Sequence, residues 1–191
     1  MKADQKRWDK RFGKKKFALG REPNPFLKKH IHLLPRGRAL DIATGEGRNA
    51  IFLAQHGFEV DAVDISEKGL RKAQQLAREK GIKINTFTAD LDRYQIEKER
   101  YDLIADFYYL KRRLIPGMKK GLKKGGRVIF ETYILGHREL GTGGPTQAKY
   151  FLKPNELIGL FESFRILFYR EGIFREGGRK KAVASLIAEK I

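Results

Sequence analysis

Short apolar runs in this chain alternate with longer stretches whose apolar residues recur at helical spacing. The runs predicted as strands are residues 39–42, 58–64, 82–88, 101–107 and 126–132. The stretch after the second run has its apolar residues on one helix face, namely Leu70, Ala73, Leu76 and Ala77. Strands that alternate with helices predict a parallel sheet with right-handed crossovers.

The C-terminal part of the chain follows a different pattern. Residues 111–122 are predicted to be helical with an interruption at Pro116, and Pro154 to begin a helix that reaches Phe161. The last two apolar runs, residues 164–169 and 182–188, have no helical pattern between them. We therefore expect these two strands to form an antiparallel pair.

One stretch, residues 38–49, combines a strand, a glycine turn and the start of a helix. Its sequence is RALDIATGEGRN, with Gly45 and Gly47 in the turn. Such a turn at a helix N-terminus is typical of a nucleotide-cofactor site, because glycine lets a ligand lie against the backbone. An ordinary tight turn between strand and helix is the alternative interpretation.

The acidic residues around this turn bear on which cofactor it holds. Gly45, Gly47 and Ala50 satisfy a loose dinucleotide fingerprint, and Asp64 follows at about the expected ~20 residues. Asp41 and Glu46, however, would repel a pyrophosphate. S-adenosylmethionine has no phosphate and carries an ammonium and a sulfonium, which carboxylates at the turn would suit.

The segment DIATGEG, residues 41–47, resembles motif I of the class I S-adenosylmethionine-dependent methyltransferases, with Ala43 and Thr44 in place of the usual Gly-Cys or Gly-Ser. The C-terminal half resembles a bacterial branch near the tellurite-resistance and thiopurine type methyltransferases. The resemblance implies an α/β, three-layer Rossmann-like sandwich whose mostly parallel seven-stranded sheet ends in an antiparallel β-hairpin. We expect a single domain, with residues 1–35 as an N-terminal lid and residues 36–191 as the core.

The resemblance also implies a cofactor site. Asp64 is expected to hold the ribose hydroxyls, and Asp90 the adenine amino group. Arg11 is expected to meet the methionine carboxylate when the N-terminal segment, with Trp8 and Phe12, folds over the pocket. The full implied set is Arg11, Asp41, Ala43, Thr44, Gly45, Gly47, Asn49, Asp64, Ile65, Ala89, Asp90, Leu91, Asp106 and Phe107.

The acceptor is expected to approach the end of the fourth strand. Asp106, Tyr108 and His137 are the candidate catalytic residues, and a base is needed only if the acceptor must lose a proton. The absence of cysteine excludes disulfides, thiolate metal sites and a cysteine nucleophile. No metal site is expected, and the signature of methylation at exocyclic base or glutamine nitrogens is missing.

The net charge of the chain does not identify the methyl acceptor. Lys and Arg number 41 against 23 Asp and Glu, a formal net charge of +18. This excess fits a small anionic acceptor, an RNA substrate or a thermophile surface. A small-molecule or oxyanion acceptor is the main hypothesis, and the alternatives are an RNA methyltransferase and an inactive cofactor-binding protein. No apolar run is long enough for a membrane span and the N-terminus is charged, so a cytoplasmic monomer or homodimer is expected.

Overall fold

The computed structural model describes residues 2–176 and 178–191, with the side chains of Lys2 and Glu176 left aside. The strands are β1 Arg38–Ile42, β2 Glu59–Asp64, β3 Asn85–Thr88, β4 Tyr101–Phe107, β5 Leu122–Tyr133, β6 Phe164–Glu176 and β7 Arg179–Lys190. The α-helices are α1 Lys2–Phe12, α2 Pro25–His30, α3 Arg48–Gln55, α4 Glu67–Glu79, α5 Ile115–Gly121 and α6 Glu156–Leu160. Short 3₁₀ segments are Ile31–Leu33, Arg112–Leu114, Leu135–Leu140 and Ala148–Tyr150.

The described strands form one seven-stranded sheet in the order β3-β2-β1-β4-β5-β7-β6. Neighbours from β3 to β5 are parallel, whereas β7 runs antiparallel to both β5 and β6. The chain moves outward from β1 to β3 and then returns to β4 on the other side of β1. The predicted parallel sheet with a closing antiparallel hairpin is confirmed.

Helices cover both faces of the sheet because alternate strand residues point to opposite sides. One apolar cluster joins Leu40 and Ile104 to Met118 of α5 and Leu157 of α6. The opposite cluster joins Ala39, Leu103 and Ile129 to residues of α2 and α3, namely Phe26, Leu27, Ala50 and Leu53. The result is three layers whose carboxyl-end strand edges remain available for a site.

Local boundaries differ from the sequence predictions where proline and strand pairing decide them. Pro116 lies in the first turn of α5 and does not interrupt a longer helix, because a first-turn residue needs no backbone N–H. Pro154 precedes α6, whose N-cap is Asn155. The closing strands are longer than predicted because they pair along almost their whole length. None of the helices in the described part of the chain is both long and apolar enough to cross a bilayer.

We predict that two glycines flanking α3 differ sharply in their tolerance of alanine. Both have positive φ, but a Cβ on Gly47 would lie 2.5 Å from the Cβ of Ala73, whereas one on Gly57 would meet nothing within 4 Å. Gly57→Ala should lower the free energy of unfolding by about 1 kcal/mol, from backbone conformation alone. Gly47→Ala should lose roughly 1–3 kcal/mol more through overpacking. Denaturant unfolding measures both, and equal losses would contradict the packing argument.

Candidate functional site

The carboxyl ends of β1, β2 and β4 meet where the strand order reverses. In open α/β sheets this reversal opens a crevice that ligands occupy. Ile42 of β1 pairs with Val63 of β2 and with Asp106 of β4, so residues that follow these strands lie side by side. The site is built from the loop after β1, the end of β2 and the end of β4.

The loop of residues 43–47 is held by backbone hydrogen bonds. The Thr44 N–H donates to the Val63 carbonyl at 3.1 Å, and the Gly47 N–H to the Thr44 carbonyl at 3.0 Å. Ala43, Gly45 and Gly47 all have positive φ. Ala43 is the non-glycine member of this set, so it carries backbone strain that glycine would avoid.

Asp64 ties this loop to the end of β2. Its Oδ2 accepts the Gly45 N–H at 2.8 Å, and its Oδ1 accepts the Ser66 N–H at 2.8 Å. Each carboxylate oxygen has two lone pairs, so both oxygens keep acceptor capacity for the hydroxyl groups of a ligand. Burial raises the pKa of Asp64 above its usual value.

Two more carboxyls are buried at this edge, Asp41 of β1 and Asp106 of β4. Asp41 accepts the Thr44 hydroxyl at 2.5 Å, and burial raises its pKa to about 7. Burial raises the pKa of Asp106 well above its usual value, and the nearby charge of Asp41 adds to the effect. Burial therefore favours the protonated form of Asp106, which is a hydrogen-bond donor, over its charged form.

The segment after β3 lies next to Asp64. The Ala89 N–H donates to the Asp64 carbonyl at 2.9 Å, and Asp90 Oδ1 accepts the Asp92 N–H at 3.0 Å in a local turn. Leu91 is buried in the core, whereas Ala89 and Asp90 are half-buried, as is Ile65 after β2. Phe107, also from the implied cofactor set, is buried at the end of β4. The structure thus brings the β2, β3 and β4 members of that set to one edge of the sheet.

Two residues of the motif I segment are engaged by the N-terminal strap, which we define as residues 13–24. Glu46 accepts the Ala18 N–H at 2.7 Å and the Lys72 ammonium at 2.7 Å. Asn49 Oδ1 accepts the Asn24 N–H at 2.8 Å. Glu46 is a loop residue, but its carboxylate is bonded to the strap and to Lys72, which corrects our use of it as a free charge against a pyrophosphate. Asn49, expected to bind cofactor, likewise holds the strap, because its carbonyl oxygen meets a buried backbone donor.

Helix α1 packs over motif I and the start of α4. Asp9 Oδ1 accepts the Ser66 hydroxyl at 2.6 Å and the Lys68 N–H at 3.2 Å. Phe12 is buried so close to Gly45 that a Cβ there would lie 3.1 Å from its ring. Arg11, by contrast, is exposed and its guanidinium lies over the Trp8 ring, 5.3 Å from the centroid.

Beyond β4, a fully buried carboxylate organises the neighbouring strands. Glu131 Oε1 accepts the Asn24 amide and the Tyr108 hydroxyl, each at 2.8 Å. Its Oε2 accepts the Ser185 hydroxyl at 2.7 Å and the Arg170 guanidinium at 3.2 Å. These four donors match the four lone pairs of a carboxylate, so Glu131 is a structural anion.

Tyr108 is the candidate catalytic residue that the structure presents most directly. Its φ of +64° is unusual for an aromatic residue and turns it out of β4. The Lys181 ammonium donates to its hydroxyl at 3.0 Å, and the Tyr133 ring lies 4.8 Å away between centroids. Tyr108 therefore combines a polar hydroxyl with a neighbouring positive charge at the strand end.

His137 lies in a different environment from the one we expected of a base. Its Nδ1 accepts the Ala182 N–H at 3.2 Å, so Nε2 carries the proton and donates to the Gly143 carbonyl at 2.8 Å. Burial lowers the pKa of this imidazole. With both nitrogens bonded to backbone, His137 holds the loop after β5 against β7, and this arrangement gives it no lone pair for proton transfer.

A family model described as a methyltransferase domain matches residues 39–126, from β1 to the start of β5. TehB of Haemophilus influenzae, a probable S-adenosyl-L-methionine-dependent methyltransferase, is 25% identical over 140 residues. The crystal structure of TehB from Haemophilus influenzae superposes with a TM-score of 0.76 over 98% of this chain, at 19% identity and covering 67% of that chain. Residues 39–126 therefore match a methyltransferase domain, and the chain has the fold of TehB.

Two other proteins are similar to this chain over most of its length. A ubiquinone biosynthesis O-methyltransferase of Coxiella burnetii is 29% identical over 164 residues, covering 73% of this chain and 69% of that protein. The PH0226 protein of Pyrococcus horikoshii has the same fold, with a TM-score of 0.67 at 20% identity over 87% of each chain. The TehB alignment covers 71% of this chain but only 49% of TehB, so the chain spans about half the length of that relative.

Several residues that hold the site together were not predicted from the sequence. Asn24 precedes a proline at a helix start, a recognisable N-cap pattern, and it caps α2 through the Phe26 N–H. Arg48, Arg170 and Lys181 had no such local indicator, because their roles depend on which strands become neighbours.

We predict that the contribution of Asp41 to the stability of the protein, without added ligand, falls as pH rises from about 4 to 7. The folded state keeps the Asp41 proton up to about pH 7, whereas the unfolded chain loses it near 4, so folding binds protons across this window. The free energy of unfolding that this carboxyl contributes below pH 4 is then lost as pH rises, by at most about 1.4 kcal/mol per pH unit. Asp41→Asn should flatten the slope in denaturant unfolding, while Asp4→Asn on the exposed face of α1 should not. A slope that survives Asp41→Asn unchanged would contradict the assignment.

Proposed function

We propose that this chain binds S-adenosylmethionine at the carboxyl edge of β1, β2 and β4 and transfers its methyl group to a small anionic acceptor. The observation that carries the proposal is the Asp64 carboxylate bonded to the Gly45 N–H at 2.8 Å. This bond sets a charged acceptor and a glycine backbone side by side, an arrangement suited to a ribose lying against the loop.

The charges around the loop support a cationic cofactor over a dinucleotide. Asp41, Asp64 and Asp106 are all buried here, and burial raises the pKa of each. A ligand with a sulfonium and an ammonium would favour their ionised forms, whereas a pyrophosphate would oppose them. This argument no longer needs Glu46, which fastens the strap.

The acceptor end of the proposed site lies beyond β4, at Tyr108. In methyl transfer the carbon–sulfur bond of the sulfonium breaks as the acceptor's nucleophilic atom bonds to the same carbon. The enzyme's main task is to align this atom and exclude water. We assign this alignment to the Tyr108 hydroxyl, whose neighbour Lys181 supplies a positive charge for an anionic acceptor.

Ion pairing supports a small acceptor over RNA. Lys111 and Arg113 pair with Asp92, and Arg112 pairs with Glu156. These three cations share two carboxylates and are therefore partly neutralised within the fold, which weakens them as a phosphate-binding surface. Lys14, Lys15 and Lys16 have no carboxylate partner among the described residues, but they lie in the strap over motif I.

We predict that Asp64→Ala weakens cofactor binding more than Asp90→Ala does. Asp64 offers two charged acceptor oxygens, worth roughly 1.5–3 kcal/mol per bond, and also fixes the Gly45 loop. Calorimetry with S-adenosylhomocysteine measures the affinity, and Asp92→Ala, in the exposed turn after β3, is the matched control. Wild-type protein that bound NAD but not S-adenosylhomocysteine would overturn the proposed function.

We predict that the cofactor orders the N-terminal segment. Trp8 and Phe12 stack at 5.3 Å between centroids, and Phe12 reaches Gly45, so a ligand on the loop should alter the surroundings of Trp8. Trp8 is the sole tryptophan in the sequence, so S-adenosylhomocysteine should change the intrinsic emission. Phe12→Ala should weaken binding several-fold, whereas Phe87→Ala on the exposed edge of β3 should not. Unchanged emission together with full affinity in Phe12→Ala would contradict a lid.

A further inference from the structure

Arg48 is a cation beside the motif I loop. It begins α3 directly after Gly47, and its guanidinium donates to the carbonyl oxygens of Leu19 at 3.2 Å and Glu22 at 3.4 Å. Both bonds use one nitrogen, Nη1, and fix the group beneath the strap. Among the side chains that the structure describes, no carboxylate forms a salt bridge with Arg48. A half-buried guanidinium of this kind retains donors for an anion.

The electrostatic surroundings agree with this geometry. Burial lowers the pKa of Arg48, and the charges of Asp41 and Glu131 act against that effect. Asp41 precedes the loop of residues 43–47 and Arg48 follows it, so a carboxyl group lies at one end of the loop and a guanidinium at the other. An α-amino acid group, with one ammonium and one carboxylate, complements that pair of charges.

We propose that Arg48, and not Arg11, binds the α-carboxylate of the cofactor's methionine portion. This inference rests on the proposed cofactor. Arg48 begins α3 directly after Gly47, next to the loop, and the charge of Asp41 acts on its guanidinium. Arg11 is exposed on α1 and stacks over Trp8, so it would have to leave that ring. A planar guanidinium can bond both oxygens of a carboxylate in parallel.

The same residue would connect cofactor binding to the strap. One nitrogen of Arg48 holds the Leu19 and Glu22 carbonyls, while the others take the carboxylate. A bound carboxylate restrains the guanidinium and thereby the strap carbonyls. The amino-acid end of the cofactor, and not its nucleoside, is then what closes the strap.

The test compares two ligands that differ at the amino-acid end. S-adenosylhomocysteine has the α-carboxylate, whereas 5′-deoxy-5′-methylthioadenosine lacks the amino-acid group. In calorimetry, Arg48→Met should weaken S-adenosylhomocysteine binding about 10- to 100-fold and leave methylthioadenosine binding within about twofold. Arg48→Lys should recover part of the lost affinity, because lysine keeps the positive charge but cannot donate two parallel hydrogen bonds from a planar group. Arg71→Met, on the exposed face of α4, is the matched control and should affect neither ligand.

Each outcome separates this inference from the proposed function. Retained methylthioadenosine affinity reports that the Arg48→Met pocket is folded. A ligand-selective loss in Arg11→Met but not in Arg48→Met would overturn the inference, as would equal losses for both ligands in Arg48→Met. Failure of wild-type protein to bind S-adenosylhomocysteine would instead overturn the proposed function.

Limited proteolysis gives a second readout of the strap. Trypsin has cleavage sites at Lys14, Lys15 and Lys16. S-adenosylhomocysteine should slow cleavage there several-fold in wild-type protein, and methylthioadenosine should not. In Arg48→Met the two ligands, each at saturating concentration, should give the same rate. Equal protection by both ligands in wild-type protein would contradict the coupling through Arg48.

Discussion

The hydrogen bond from the Gly45 N–H to Asp64 is the interaction on which the proposed site depends. It fixes the loop after β1 against the end of β2, and the same carboxylate holds the Ser66 N–H. Ser66 in turn caps α4 through the Gly69 N–H and donates its hydroxyl to Asp9 of α1. One carboxylate therefore orients the loop, a strand end and two helices. These hydrogen bonds form a continuous connection from the loop to α1.

A second buried carboxylate plays the corresponding part on the acceptor side. Glu131 is held by four donors, and a buried anion of this kind is stable only while all of them remain. Asn24 is one of those donors, and its backbone also bonds Asn49 of α3. The strap thus begins at the cofactor edge and ends at the acceptor edge. Any movement that admits a ligand must break or exchange bonds at one of these two anchors.

Sequence patterns were sufficient for the elements whose chemistry is local. The strand runs, the glycine turn and the acidic ends of β1, β2 and β4 are each determined by residues that are neighbours in the sequence. These local patterns predicted the sheet and the edge at which the site lies. Contacts that join distant parts of the chain were not predictable in this way. Glu46 was counted among the charges at the ligand turn, yet it pairs with Lys72 and the strap across 26 and 28 residues. His137 was a candidate base, yet its two backbone partners come from a loop and from β7.

Stability and ligand binding oppose each other at the carboxyl edge of the sheet. Burying Asp41, Asp64 and Asp106 together raises the pKa of each, so the folded protein holds protons at pH values where the unfolded chain has already released them. A cation bound among them favours ionisation and releases those protons. Binding of a sulfonium and an ammonium therefore gains free energy from the arrangement that makes the unliganded edge costly. The carboxyls are unfavourable for folding alone, and this is the physical reason to regard them as selected for a positively charged ligand.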